Sequence, residues 1–364
     1  MDFYRILEKA EAGDFPETGE MAVLLNAPDE VAQQALFDAA YRVKSEICGR
    51  KVYLRGLIEF SNICTRDCLY CGIRRSNGKV SRYTMEIDEI VRSAALAGQF
   101  GYGSVVLQSG ERSDPGFVDM VEEILFRIKE LPYDLGVTLS CGEESLETYL
   151  RWRKAGAKRY LLRIESADEQ IFQAIHPAGV LYQERKAALE RLKAADFQTG
   201  SGVMIGLPGQ TAEHLAKDIA FFREMDLDMI GMGPFLPQAD TPLGVRYPDS
   251  PGMAQRRLET ALRMIAVTRL VLRDVNIAAT TALQAIDPEN GRERGILAGA
   301  NVIMPNVGDV SRRKDYQLYN GKPSLDENSA VIREKLIASL AAIGETPCFN
   351  LHGDPLHYRN RSGK

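Results

Sequence analysis

A closed parallel (β/α)8 barrel is the fold this sequence predicts, and three observations predict it. From Gly49 to about residue 305, short apolar runs alternate with longer amphipathic stretches. Eight such runs follow one another, a number that an open doubly wound sheet, the alternative, would rarely need in such regular succession. Each run is also too apolar to face water on either side, as strands covered by helices are. The 364 residues leave room for a barrel of about 250 residues with extensions at both ends.

Residues 1–50 read as an N-terminal helical cap. Phe3, Ile6, Leu7 and Ala10 share one helical face, Met21–Leu25 forms a second segment, and Val31–Ile47 places Leu36, Ala40 and Val43 at helical spacing. The barrel spans 51–310. Its strands are Val52–Phe60, Ser104–Gln108, Leu135–Ser140, Tyr160–Ile164, Ser201–Ile205, Met229–Phe235, Ile277–Thr281 and Asn301–Met304. Between them lie the helical stretches Ile87–Ala97, Phe117–Lys129, Glu147–Ala155, Arg185–Ala194, Leu215–Met225 and Arg256–Leu272. Residues 311–364 form a C-terminal extension or lid with a helix near Ser329–Ala342 and a tail rich in His, Pro and Asn. In such a barrel, function sits at the carboxyl ends of the strands.

Composition bounds the partners. Hydrophobic residues at 45% and charged residues at 26% are those of a soluble globular protein. A formal net charge of -5, without a Lys/Arg block or interleaved aromatics, argues against nucleic acid or an anionic membrane and leaves a small molecule or a protein. The amphipathic amino terminus and the lack of a long apolar window predict a cytoplasmic protein. Six cysteines, three of them clustered, fit a reducing compartment.

Those three are Cys64, Cys68 and Cys71, directly after strand one, with Tyr70 before the last. Thiolate is the soft ligand of zinc and of iron–sulfur iron. Structural zinc normally takes four protein ligands, whereas the nearest other cysteines are Cys48 and Cys141 and no His lies near. Three ligands leave one metal corner open. That suits a [4Fe–4S] cluster whose fourth iron binds substrate or cofactor; a zinc knuckle or packing cysteines are the alternatives.

Other strand ends carry further candidates. Strand two runs into Gln108-Ser109-Gly110-Glu111, where the Gly allows close approach and the Glu accepts from an ammonium group, although alone it is an ordinary turn. Along strand four, Arg159, Leu161, Arg163 and Glu165 fall on one side by period two. Two arginines and a carboxylate aimed into a barrel must meet ligands or each other, so they read as an anion site or as a structural ion-pair network. Strand five, with Met204 between Gly202 and Gly206, allows a flat ring to approach, as does a plain strand-end turn. Thr280 and Thr281 close strand seven with hydroxyls that bond something inside or back-bond to local carbonyls. Cys48, Cys141 and Cys348 read as packing residues, and the four histidines receive no role.

Cys-x3-Cys-x2-Cys with an aromatic before the last Cys resembles the radical S-adenosylmethionine (SAM) superfamily. Adding Ile58-Glu59-Phe60-Ser61-Asn62, Arg82-Tyr83, Val106 to Glu111, Arg159 to Glu165, Gly206 to Gln210, Gly233-Pro234-Phe235, Ala279-Thr280-Thr281 and Gly299 to Asn306, the chain from about 45 to 322 resembles the [FeFe]-hydrogenase maturase HydE family, which is related to biotin synthase and methylornithine synthase. The resemblance implies that SAM binds the open iron and is cleaved reductively to a 5′-deoxyadenosyl radical. It implies SAM contacts from Tyr70, Gln108, Ser109, Gly110, Glu111, Ser140, Glu165, Arg185, Met204 and Gly206, with Arg185 at the SAM carboxylate. Arg159, Arg163, Thr280, Thr281 and Met304 would line the substrate cavity. The implied substrate is a cysteine-bound iron carbonyl cyanide complex delivered by HydG. A flavodoxin or ferredoxin would donate the electron, and HydG and HydF would be partners.

A HydE-like enzyme with another small substrate, such as an amino-acid mutase of the methylornithine synthase type, is the second reading. A non-enzymatic iron–sulfur carrier is the third, against which the convergence of Ser109-Gly110-Glu111, Glu165 and Arg185 counts. The chain departs from the family pattern at Ile164, where the family has His, and over Asn306 to Arg313, which lacks a Pro-x-x-Tyr-Arg character. No cysteine lies between Cys141 and Cys348 to hold a second cluster.

Overall fold

In the computed structural model, which describes residues 2–363, eight parallel strands pair in chain order and the eighth returns to the first. They are Lys51–Ser61, Ser104–Ser109, Gly136–Ser140, Ala157–Leu161, Gln198–Ser201, Met229–Pro234, Asn276–Ala279 and Val302–Ile303. The closed (β/α)8 barrel is therefore present, and closure leaves no edge within the ring. Val52, Leu54, Ile58 and Phe60 on one face of strand one and Arg55 and Glu59 on the other are all buried, so both faces are covered.

Two strands start earlier than their apolar runs suggest. Strand four occupies Ala157–Leu161 instead of Tyr160–Ile164, and strand five Gln198–Ser201 instead of Ser201–Ile205. The reason is polar residues inside the barrel. Gln198, Thr199 and Ser201 are all buried, and Gln198 accepts from Arg159 Nε at 3.1 Å. Satisfied hydrogen bonds let such residues sit where hydrophobicity alone predicts apolar ones. Met204–Ile205 forms a separate short pair with Gly233 and Pro234 of strand six.

The amino-terminal cap folds as Phe3–Ala12, Thr18–Leu25 and Glu30–Ile47. Asp2 and Asp29 cap the first and third helices by accepting from Tyr4 N and Ala32 N. The third helix packs on Met253–Val271 and carries Lys44, whose fully buried ammonium pairs with equally buried Glu345. Among the described residues, no helix is long and apolar enough to cross a membrane.

The carboxyl-terminal extension does two jobs at opposite ends of the barrel. Residues 314–323 lie over the mouth, held by Asn62 Nδ2 donating to Asp315 O at 2.7 Å and Gly72 N donating to Leu318 O at 2.9 Å. Beyond the helix Ser329–Ala342, Thr346–Cys348 adds an outer strand to strand one. The tail then closes the amino-terminal end. Gly353 O accepts from Arg55 and Asn276, Asp354 Oδ1 from Arg159 and Gln198, and His352 O from Ser104.

A last helix, Leu356–Ser362, fastens this plug. His357 sits between Asp274 at 3.0 Å and Asp226 at 2.7 Å. The bond to Asp274, opposed by burial and helped by Asp226, lifts the His357 pKa to about 9. A pKa raised on folding contributes stability that is complete below the unfolded value of about 6.5 and is lost as pH rises through the folded value. Urea unfolding of wild type is therefore expected to weaken between pH 7 and pH 10. His357→Gln should start less stable and lose less over that interval; parallel curves for the two proteins would remove His357 from the plug.

Candidate active site

The carboxyl ends of the strands surround a cavity of about 310 Å³. Cys64, Cys68, Tyr70, Cys71, Gln108, Ser109, Gly110, Glu111, Ser140, Arg163, Glu165, Arg185, Met204, Thr280, Thr281 and Met304 all line it. Residues from seven inter-element loops and strand ends thus meet in one place, although they span more than two hundred positions of sequence.

The cysteine loop is locked against the turn after strand two. Thr65 N donates to Glu111 O at 2.9 Å, and Glu111 N donates to Cys64 Sγ at 3.4 Å. A Cβ on Gly110 would fall 2.3 Å from Ile63 O and 2.8 Å from Cys64 Cβ, so only glycine lets the two loops touch. Tyr70 packs edge-on against His176, with ring centroids 5.6 Å apart.

Four charges form the adjoining wall. Arg66 binds Glu111 through Nε and Glu143 through Nη2, the latter at 2.8 Å. Arg185 binds Glu143 through Nε, approaches Glu111 at 3.9 Å, and donates to Arg163 O at 2.6 Å. Glu143 was not among the sequence candidates. The signal that marks it is positional, since Cys141-Gly142-Glu143 follows strand three as Ser109-Gly110-Glu111 follows strand two. Both arginines are paired with Glu143, which aims their forks.

Arg163 is itself paired, donating to Glu165 Oε2 at 3.1 Å and Val203 O at 2.8 Å. Glu165 holds a φ of 65°, an unusual conformation for a side chain of its size, supported by ladder bonds to Gly202 and Met204. It turns the chain out of strand four and delivers its carboxylate to the cavity.

Two sequence candidates lie elsewhere. Arg159 does face into the barrel, but near its amino-terminal end, fully buried and ion-paired with Asp354 of the tail at 2.6 Å. Period two puts it on the same side as Arg163; an earlier strand start puts it one layer lower, beneath Leu161. Gly206 is not among the lining residues. Its φ is 81°, and a Cβ there would meet Arg257 at 2.4 Å. Ile164 is buried outside the lining, so that departure from the family pattern does not alter the wall.

Across the barrel, Thr281 Oγ1 lies 2.8 Å from Tyr319 Oη, and Thr280 Oγ1 donates to Met232 O at 3.2 Å. One threonine thus reaches the lid and the other back-bonds. Gln108 Nε2 donates to Tyr316 Oη at 3.3 Å. Lys322 Nζ binds Glu59 at 2.5 and 2.6 Å, and Asn306 Nδ2 binds the same carboxylate at 2.9 Å. Tyr316, Tyr319 and Lys322 escaped the sequence reading because lid residues acquire their neighbours only through folding, and Glu59, on strand one, because its partner Lys322 is one of them.

The donor set fits an iron–sulfur cluster. Burial raises the pKa of all three thiols, that of Cys68 to about 12, so thiolates here need a metal cation beside them. The three line one cavity, as the three protein ligands of one iron–sulfur cluster must.

Residues 58–222 match the Radical SAM superfamily. The [FeFe] hydrogenase maturase subunit HydE of Thermotoga maritima is 41% identical over 344 residues, covering 94% of both chains. The 3-methylornithine synthase of Methanosarcina acetivorans is 25% identical over 348 residues, covering 95% of this chain and 94% of that protein. Among solved structures, methylornithine synthase superposes with a TM-score of 0.80 at 23% identity, covering 95% of this chain and 98% of that one. The maturase HydG from Carboxydothermus hydrogenoformans follows at 0.78 and 22%, covering 95% and 79%. Both likenesses speak to the fold.

Proposed function

Because the chain belongs to the radical SAM superfamily and, within it, to the [FeFe]-hydrogenase maturase HydE family, we propose that its cavity binds a [4Fe–4S] cluster and SAM and acts on a cysteine-bound iron carbonyl cyanide complex during assembly of the hydrogenase diiron site. The chain is a radical SAM enzyme of hydrogenase maturation. The observation that carries the finer reading is the meeting of three thiols, Glu111 and Arg185 in one cavity, with Glu143 paired to Arg185 beside it.

Cys64, Cys68 and Cys71 would hold the cluster. Glu111, Glu143 and Arg185 offer the carboxylates and the fork that the amino and carboxylate ends of an amino acid need. Glu165, Met204, Ser140 and Tyr70 complete the SAM side of the wall. A cluster held there would supply the one electron that divides SAM into methionine and a 5′-deoxyadenosyl radical. Tyr316, Leu318, Tyr319 and Lys322 cover the mouth and keep water from the reacting groups. Thr280, Thr281, Met304 and Arg163 face the substrate side. A flavodoxin or ferredoxin would deliver the electron, and HydG and HydF would hand over and receive the small organometallic cargo.

The 3-methylornithine synthase likeness over nearly the whole chain favours a second reading, an amino-acid mutase on the same wall. Reconstitution separates the two. In anaerobic extracts supplying hydrogenase, HydF and HydG, adding this protein with SAM is expected to raise hydrogenase activity. SAM cleavage stimulated by an amino acid, with no gain in hydrogenase activity, would establish the mutase instead.

A further inference from the structure

Charge accounting around the cavity singles out one side chain. Five cations line the wall: Arg66, Arg163, Arg185, Arg292 and Lys322. Four are neutralised by carboxylates within the wall, Arg66 and Arg185 by Glu111 and Glu143, Arg163 by Glu165, and Lys322 by Glu59. Arg292 has neither an ion pair nor a hydrogen bond among the described residues. Its neighbours in charge, Glu293 and Glu327, act on it only through space and line, together with Arg292 itself, a second polar cavity of about 360 Å³ on the outer side.

Burial pulls the Arg292 guanidinium below its ordinary pKa, the mark of a cation short of water and of partners. An arginine remains charged in proteins regardless, so a cation that folding has left unpaired is complementary to an incoming anion. Its position suits that role. Arg292 opens the short helix Gly291–Leu297 after strand seven, and it shares both the main cavity and a smaller pocket behind it with Thr281, Met304 and Lys322. Glu111 and Glu143 follow strands two and three, across the barrel. An anion on Arg292 therefore lies on the substrate side, away from the groups that bracket SAM.

We propose that Arg292 is the substrate-binding residue of this enzyme, taking the carboxylate or other anionic group of its small-molecule substrate through a planar, bidentate contact at the strand-seven side of the cavity. The inference rests on the reading of this cavity as the substrate site. It reassigns the anion-gripping role expected of Arg159 and Arg163, both of which already have carboxylate partners.

Two measurements on the reconstituted holoenzyme test it. Crystals of wild type, Arg292→Ala and Arg292→Lys soaked in iodide are compared by anomalous scattering, and the apparent KM for the cysteine-bound iron carbonyl cyanide complex is measured for each. Expected are iodide against Arg292 in wild type, its loss in Arg292→Ala, and a KM raised about thirtyfold in that variant with kcat changed far less. Arg292→Lys, which keeps the charge and loses the fork, should retain iodide and fall between the two. Absence of iodide at Arg292 in wild type overturns the proposal. Iodide there with an unchanged KM in Arg292→Ala marks an adventitious ion only and overturns it equally. Should the complex fail to turn over with wild type, the maturase reading falls, and the iodide comparison alone then decides the anion site. Thermal melts identify a variant that has failed to fold, in which case Arg292→Lys carries the comparison.

Discussion

Cys68→Ala protein, reconstituted anaerobically with iron and sulfide and then reduced with SAM, is expected to form 5′-deoxyadenosine only at the background rate. The middle cysteine of the loop lines the cavity between its two partners, and no other thiol is near enough to replace it: Cys141 and Cys348 are buried elsewhere, and Cys48 lies against Arg269 at 3.5 Å. Two thiolates in this wall would leave a second iron without a protein ligand. Iron content and the visible absorption of the cluster should fall with activity, which separates loss of the cluster from misfolding. A Cys68→Ala protein that produced 5′-deoxyadenosine at the wild-type rate would sink the assignment of the loop. Tetrahedral zinc in oxygen-protected wild type would do so as well.

Asp354→Ala is expected to destabilise the fold by about 3 kcal/mol, near the lower end for breaking a buried pair because the Asp354 side chain keeps 27% of its surface exposed. The variant leaves Arg159, wholly buried, with only Gln198 and a carbonyl. Burial alone would raise the Asp354 pKa, but Arg159 and Gln198 outweigh it and hold the carboxyl below its ordinary value. A depressed carboxyl contributes stability above the unfolded value of about 3.9 and loses it as pH falls through the lower folded value. Wild type should therefore lose more stability than Asp354→Ala in urea titrations carried from pH 6 towards pH 3. If instead Asp354→Ala unfolds like wild type while the substrate KM changes, Arg159 belongs to the substrate after all, and the plug is incidental.

The contrast between Arg159 and Arg163 shows where sequence reasoning stops. Period two correctly put both on the inner side of strand four, but it says nothing of height along the barrel axis. Height follows from where the strand starts, and the start was masked because Gln198 and Thr199 of the neighbouring strand are polar and buried. The cysteine loop was legible for the opposite reason. Its three ligands are close in sequence, so their spacing carries the chemistry without help from the fold. Glu111 and Glu165 were readable as strand-end carboxylates next to telling glycines or arginines; Glu143, flanked by Glu144, was not. Lys322, Tyr319 and Arg292 had no local pattern at all.

The sequence alone determined the barrel, the thiolate loop, the superfamily resemblance and most of the cavity wall, because each depends on residue type at short range or on a period repeated eight times. Tertiary structure decided which charges cancel. Pairing Lys322 with Glu59 and Arg159 with Asp354 requires segments 263 and 195 residues apart to meet. Only closure of the ring, with the lid over one end and the tail under the other, brings such distant groups within a few ångströms and leaves Arg292 as the cation of the cavity wall without a partner among the described residues.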